Sequence, residues 1–221
     1  SSTPKLLFLE MGNGDTNSYS YRIFKSLRNA ENKELNTKHN LEEYINAGVG
    51  RYKILKNDKA WTEKKNVNGR MLSSGEKVWL KAASRDANIM QSLEQRGYVG
   101  GKSTIPTRIT KAEIDAIQLT DQEQALLDKM PDFFEQTYNL LNEEYVKLTG
   151  ETLERSPYGE YFPKKVSDIS VEDSLSQVFK DPTLKNAGVT INRKGTVDAV
   201  VMEDIAKTIE RHIAIVTKYN A

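Results

Sequence analysis

Apolar residues in this chain recur mostly at three- and four-residue intervals, separated by polar runs, and this pattern predicts helices over most of its length. Tyr21, Phe24, Leu27, Leu41, Tyr44 and Ile45 predict two helices between Ser18 and Ala47, with a break near Asn36 to Asn40. Val78, Trp79, Ala82 and Ala83 form the next helical stripe, and Ile89, Met90 and Leu93 form a short one that stops at Gly97. Phe134, Tyr138, Leu141, Tyr145 and Leu148 make an apolar seam. Val197, Val200, Val201, Ile205, Ile209, His212, Ile213 and Val216 read as one continuous closing helix.

Start signals sharpen this reading. Ser73 with Glu76, Thr110 with Glu113 and Thr120 with Glu123 each have capping-box spacing, where the hydroxyl accepts from the amide three residues on and the carboxylate reaches back. Pro131 is expected to break or kink the helix begun at Thr120, and Gly150 to end it. Asn68 and Gly69 fit either a tiny hairpin or a loop. Residues 97 to 107 read as a loop, a helix is expected from Val171 to Phe179, and strand signal is confined to pieces such as Val189, Thr190 and Ile191. The fold class is therefore mainly α, an irregular multi-helix bundle with little or no β-sheet. Two parts are expected: residues 1–70 as a helical, basic N-terminal lobe and residues 71–221 as a second helical domain.

Composition adds a charge asymmetry. Among 221 residues the net charge is only +1, yet residues 1–110 carry 19 Lys and Arg against 11 Asp and Glu, while residues 111–221 carry 13 against 20. Such halves dock on one another, remain solvated, or present the basic half to phosphate. A mean hydropathy of -0.62 and 29% charged residues indicate extensive solvated surface. No apolar run approaches the roughly 20 residues that span a bilayer. The absence of cysteine removes disulfides, thiolate nucleophiles and Cys-type zinc sites. Ser1 in place of Met, and Ala221 directly after a helical pattern, point to a segment of a longer protein.

Candidate chemistry is sparse. Gly97 to Thr104 imitates a phosphate loop, but the required first glycine falls at Arg96 and Pro106 obstructs the following helix. His212 lies on an apolar stripe without a second ligand one turn away, which favours a buried, hydrogen-bonded imidazole. Lys53, Lys56, Lys59, Lys64 and Lys65 interleave with Tyr52 and Trp61, a combination that serves single-stranded nucleic acid through phosphate contacts and stacking. The same spacing suits a helix that buries its aromatic rings and solvates its lysines. No catalytic, cofactor-binding or metal-binding constellation is legible.

The run from Leu119 to Asp128, the Tyr-rich helix after it, and Tyr161, Phe162 and Pro163 resemble one of the large polyvalent protein-associated domains of giant bacteriophage and mobile-element proteins. Ile109 to Ile114 is similar to that family's lead-in helix, and Val197 to Val201 with Ile209, His212, Ile213 and Ala214 to its closing helix. The resemblance spans roughly residues 75 to 221. It implies a non-catalytic structural segment of an internal or ejected virion protein, connected with DNA ejection. It also implies a place in the virion interior with delivery to the host cytoplasm, and other segments of the parent protein or other virion proteins as partners. Weak nucleic-acid binding and a delivered effector enzyme are the competing readings. Within the turn, Pro163 biases Phe162 toward extended backbone, which makes Tyr161 to Pro163 a packing corner.

Overall fold

The computed structural model describes residues 14–46, 52–100, 105–152 and 199–219, together with Lys5. Helix accounts for 69% of these residues, and the two sheets have only two strands each. The corner at Tyr161, Phe162 and Pro163, the helix expected from Val171 and the strand piece at Val189 lie outside the described residues.

The first long element, α1 (Tyr19–Asn46), is one unbroken helix of 28 residues rather than two. Asn36 and Asn40 are mediocre helix formers, each costing well under about 1 kcal/mol, and the span holds neither Gly nor Pro to stop propagation. Ser18 opens it by accepting from the Tyr21 amide at 3.2 Å. Only its last turns enter the core, through Leu41 and Ile45. Two single-turn helices follow, α2 (Tyr52–Leu55) and α3 (Lys59–Thr62), the latter capped by Asp58 accepting from the Ala60 amide. Strands β1 (Lys65–Val67) and β2 (Arg70–Leu72) form an antiparallel hairpin with Val67 opposite Arg70. Its turn residues, Asn68 and Gly69, have φ of 51° and 88°, as a two-residue turn of the right twist demands.

All three capping boxes form, opening α4 (Ser74–Ala83), α6 (Lys111–Asp115) and α7 (Asp121–Thr149). Between them lie α5 (Ala87–Gln95), capped by Asp86, and the two-residue strand β3 (Tyr98–Val99). Gly97, at φ 87°, turns the chain between these two. Helix α7 runs through Pro131 without interruption and closes on Gly150 at φ 73°. One missing hydrogen bond is offset here by the burial of Met130, Phe133 and Phe134 around the proline. The expected seam holds to Tyr145, but Leu148 is exposed.

Two expectations fail together. Tyr98 and Val99 do not lie in a simple loop, and Val200 and Val201 do not belong to the closing helix. The latter form β4 (Val200–Val201), parallel to β3, with Val200 N donating to Gly97 O at 3.2 Å and Met202 N to Val99 O at 2.8 Å. β-Branched valines suit this extended ladder. Helix α8 (Ile205–Tyr219) starts only after Asp204, whose carboxylate accepts from the Ala206 amide at 2.8 Å.

Helix α8 packs on α1, α2, α4 and α7 and supplies Ile205, Ile209, Ile213 and Val216 to a core that also contains Leu41, Trp61, Trp79 and Phe133. Residues on both sides of position 70 share this core, and the β1–β2 hairpin straddles the boundary expected there. The charge asymmetry has a direct structural counterpart. Lys33 with Glu144 (3.6 Å), Lys56 with Glu210 (2.7 Å), Arg70 with Glu113 (2.5 Å) and Lys77 with Glu123 (2.7 Å) each join a base of the first half to an acid of the second.

Candidate functional site

A cluster of polar side chains lies where α4 and α8 begin. Each helix needs an acceptor for its first free amides, and each finds it in its own sequence. Glu76 Oε1 accepts from the Ser73 amide at 3.0 Å while Ser73 Oγ accepts from the Glu76 amide at 3.2 Å. Asp204 Oδ1 accepts from Ala206 N and, at 3.1 Å, from the indole Nε1 of Trp61. The second oxygen of Glu76 faces Lys64 Nζ at 3.5 Å. Gly75 backs directly onto the Asp204 carboxylate, and any Cβ at that position would collide with it. Gly100 comes close to Met202 and to Glu76 Oε2.

Burial pushes the Asp204 carboxyl above its ordinary range. The Trp61 and Ala206 hydrogen bonds and the nearby Lys207 pull it back, and the Glu76 charge adds to the upward push. Two carboxylates, one of them holding its proton more tightly than usual, are the raw material of acid–base chemistry. Here, however, Asp204 Oδ1 already receives two donors, Glu76 Oε1 closes a capping box, and Gly75 fills the approach. The arrangement ties α3, α4 and the β4–α8 junction together; it is a joint. A neighbouring joint repeats the pattern at the start of α7, where the buried Glu123 accepts from Ser74 Oγ at 2.9 Å and pairs with Lys77. Among the described residues no three His, Cys, Asp or Glu side chains are grouped to hold a metal ion.

The basic and aromatic segment that sequence marks for nucleic acid is dispersed over α2, α3, β1 and the connections between them. Trp61 is 3% exposed with its indole bound to Asp204, so its ring presents no face for stacking. Lys53 pairs with Glu42 at 2.7 Å, Lys56 with Glu210 and Lys64 with Glu76, while Lys59 and Lys65 are exposed. Of the phosphate-loop imitation, Tyr98 and Val99 are strand, and residues 101–104 lie outside the described residues. His39 is exposed on α1.

His212 is fully buried, as its stripe predicts, with Nε2 2.7 Å from Thr137 Oγ1. The Thr137 hydroxyl donates to Phe134 O at 2.9 Å, so its oxygen accepts and the imidazole carries its proton on Nε2. Phe133 and Phe134 present ring edges to the imidazole at centroid distances of 6.4 and 5.6 Å. Desolvation, reinforced by the adjacent Arg211, holds the pKa at about 3, so the ring is neutral.

Sequence reasoning did not anticipate the pairing of Trp61 with Asp204. Its only local trace is Asp204 itself, an N-cap residue just before a strong apolar stripe. Compared with models of protein families, with curated proteins and with solved structures, the chain matches none.

Proposed function

We propose that this chain is a non-catalytic helical structural segment of a larger virion-associated phage protein, internal or ejected, that supports packaging or delivery of the parent polypeptide. The observation that supports a structural role is the use made of its buried carboxylates. Glu76, Glu123 and Asp204 each satisfy a helix start and simultaneously bind a partner from another segment of the chain, Lys64, Lys77 and Trp61 respectively. Such groups hold a shape, because each bound oxygen fixes the position of one element against another. The phage assignment rests on the resemblance of Ile109 to Ile114, Leu119 to Asp128, Tyr161 to Pro163, and Val197 to Val201 with Ile209, His212, Ile213 and Ala214. On this reading the chain resides in the virion interior, reaches the host cytoplasm on ejection, and has other segments of its parent or other virion proteins as partners.

Locating the reading frame that encodes the chain, followed by mass spectrometry of purified particles, tests this proposal. The expected result is a long frame in a phage structural operon, with peptides of residues 74–149 recovered from intact virions. A frame in a genome without phage or mobile-element genes, or particles free of these peptides, overturns it.

A further inference from the structure

The solvent side of α1 carries a run of cations and amides with no acid among them. Leu41 and Ile45, both buried, mark the direction of the core. At about 100° per residue, Arg22, Lys25, Arg28, Asn29, Asn32 and Asn36 fall within about 60° of the opposite direction, and all of them are exposed. Glu31 and Glu34 lie in the half of the helix that faces the body, as do Ile23 and Leu27. The outer side first meets an acid at Glu43, which faces His39 at 3.7 Å.

Its polar groups are also unusually unengaged. Elsewhere in the first half bases are matched to acids, as Lys53 is to Glu42, Lys56 to Glu210 and Lys64 to Glu76. Arg22 and Lys25 make no ion pair with any described residue, and Arg28 reaches Glu31 of its own helix at 3.3 Å with both side chains open to water. The side-chain amides of Asn29, Asn32 and Asn36 hydrogen-bond to no described residue. The helix stands clear of its surroundings as well: from Lys25 to Asn36 every residue is exposed, over about 18 Å of helix axis.

We propose that α1 binds double-stranded DNA by laying the outer side of residues 22–36 in the major groove. That groove is about 12 Å wide and admits one α-helix, provided the helix is clear enough of its own protein for the walls to rise beside it. Arg22, Lys25 and Arg28 then meet phosphates, while Asn29, Asn32 and Asn36 meet base edges, where an asparagine amide both donates to and accepts from adenine. Other anionic partners fit less well. The deep, narrow major groove of double-stranded RNA excludes a helix. Single strands are held by stacking on open rings, whereas Tyr21 and Phe24 are half-buried and pack on each other with centroids 5.9 Å apart. A bilayer needs apolar side chains among the cations, and Ile23 and Leu27 point the other way. An acidic peptide leaves the amides unused. This surface lies on a different element from Lys53 to Lys65, and its chemistry is the same whether or not the chain resides in a virion.

Fluorescence anisotropy of a labelled duplex of about 30 base pairs, titrated with the 221-residue chain at low and physiological salt, tests the proposal. Binding is expected, with log affinity falling against log salt at a slope of about −3, about one for each of the cations. The pair R22Q/K25Q should weaken binding at least about tenfold and reduce the slope to about −1. Removing the same charge elsewhere, in K59Q/K65Q, should change neither. N29A/N32A/N36A should keep the slope but lose preference for the duplexes that the parent enriches from a random pool. Circular dichroism and melting no lower than the parent's exclude misfolding as the cause. Absence of binding at low salt, equal affinity for double-stranded RNA or single-stranded DNA, or a loss in K59Q/K65Q in place of R22Q/K25Q overturns the proposal. So does binding to phosphatidylserine vesicles by a chain that leaves the duplex free.

Discussion

His212 shows how one buried side chain couples this fold to pH. In the unfolded chain an imidazole titrates near 6.5, but in the native core it stays neutral down to about 3. The depressed native value means that stability is fully present above pH 6.5 and is lost as the pH falls toward 3, by on the order of 5 kcal/mol. Asp204 acts in the opposite sense. Its native pKa is raised above 3.8, so its burial favours the protonated acid, and stability falls as pH rises through that raised value. Denaturant midpoints measured from pH 4 to 8 should separate the two. His212→Gln should lower stability at neutral pH yet flatten the acid limb, while Asp204→Asn, which keeps an acceptor for Trp61 and Ala206, should be at least as stable at pH 7. Profiles parallel to the parent's would remove both assignments. Residue-level legibility follows distance along the chain. Each capping box was readable because both of its members lie within four positions, whereas Trp61 and Asp204 are 143 positions apart and meet only in the folded chain.

At the scale of elements, local signals predicted helix starts better than helix ends or interruptions. Asn36 to Asn40 and Pro131 both argued for breaks, and in both places helix persists because flanking residues are buried or nothing competes with propagation. Pro131 nevertheless deprives α7 of one backbone hydrogen bond. Replacing it with alanine should stabilise the protein by about 1–3 kcal/mol, read as a raised thermal midpoint. A lowered midpoint would show that the proline ring itself packs against the core. Val200 and Val201 illustrate the reverse error. Their apolar spacing continues the stripe of α8, but a strand partner more than a hundred positions away at Tyr98 and Val99 claims them. Periodicity carries no information about such a partner.

For the molecule as a whole, four ion pairs of unequal weight join the basic and acidic halves among the described residues. Lys33 with Glu144 is half open to water and should contribute less than about 1 kcal/mol. Lys77 and Glu123 are both nearly removed from solvent, at 13% and 3% side-chain exposure. Lys77→Ala would strand a buried carboxylate and should cost about 3–5 kcal/mol, against less than about 1 for Lys33→Ala. Urea unfolding of both variants measures the contrast, and equal losses would contradict the assignment of Lys77 as the principal clasp. The net charge of the halves was legible in sequence; which base meets which acid was not, since that depends on helices from distant segments.

The position of α8 at the centre of the core has a consequence for how the protein is made. The ribosome delivers the chain from the N-terminus, and the faces of Trp79, Phe133 and Ile45 are finished long before Ile205, Ile209, His212 and Val216 emerge to cover them. During that interval the apolar side chains of α1, α4 and α7 that pack on α8 lack that partner. The fold's stability therefore arrives late and all at once, and a chain stalled before residue 199 would be a substrate for holdase chaperones and proteases rather than a partly working protein.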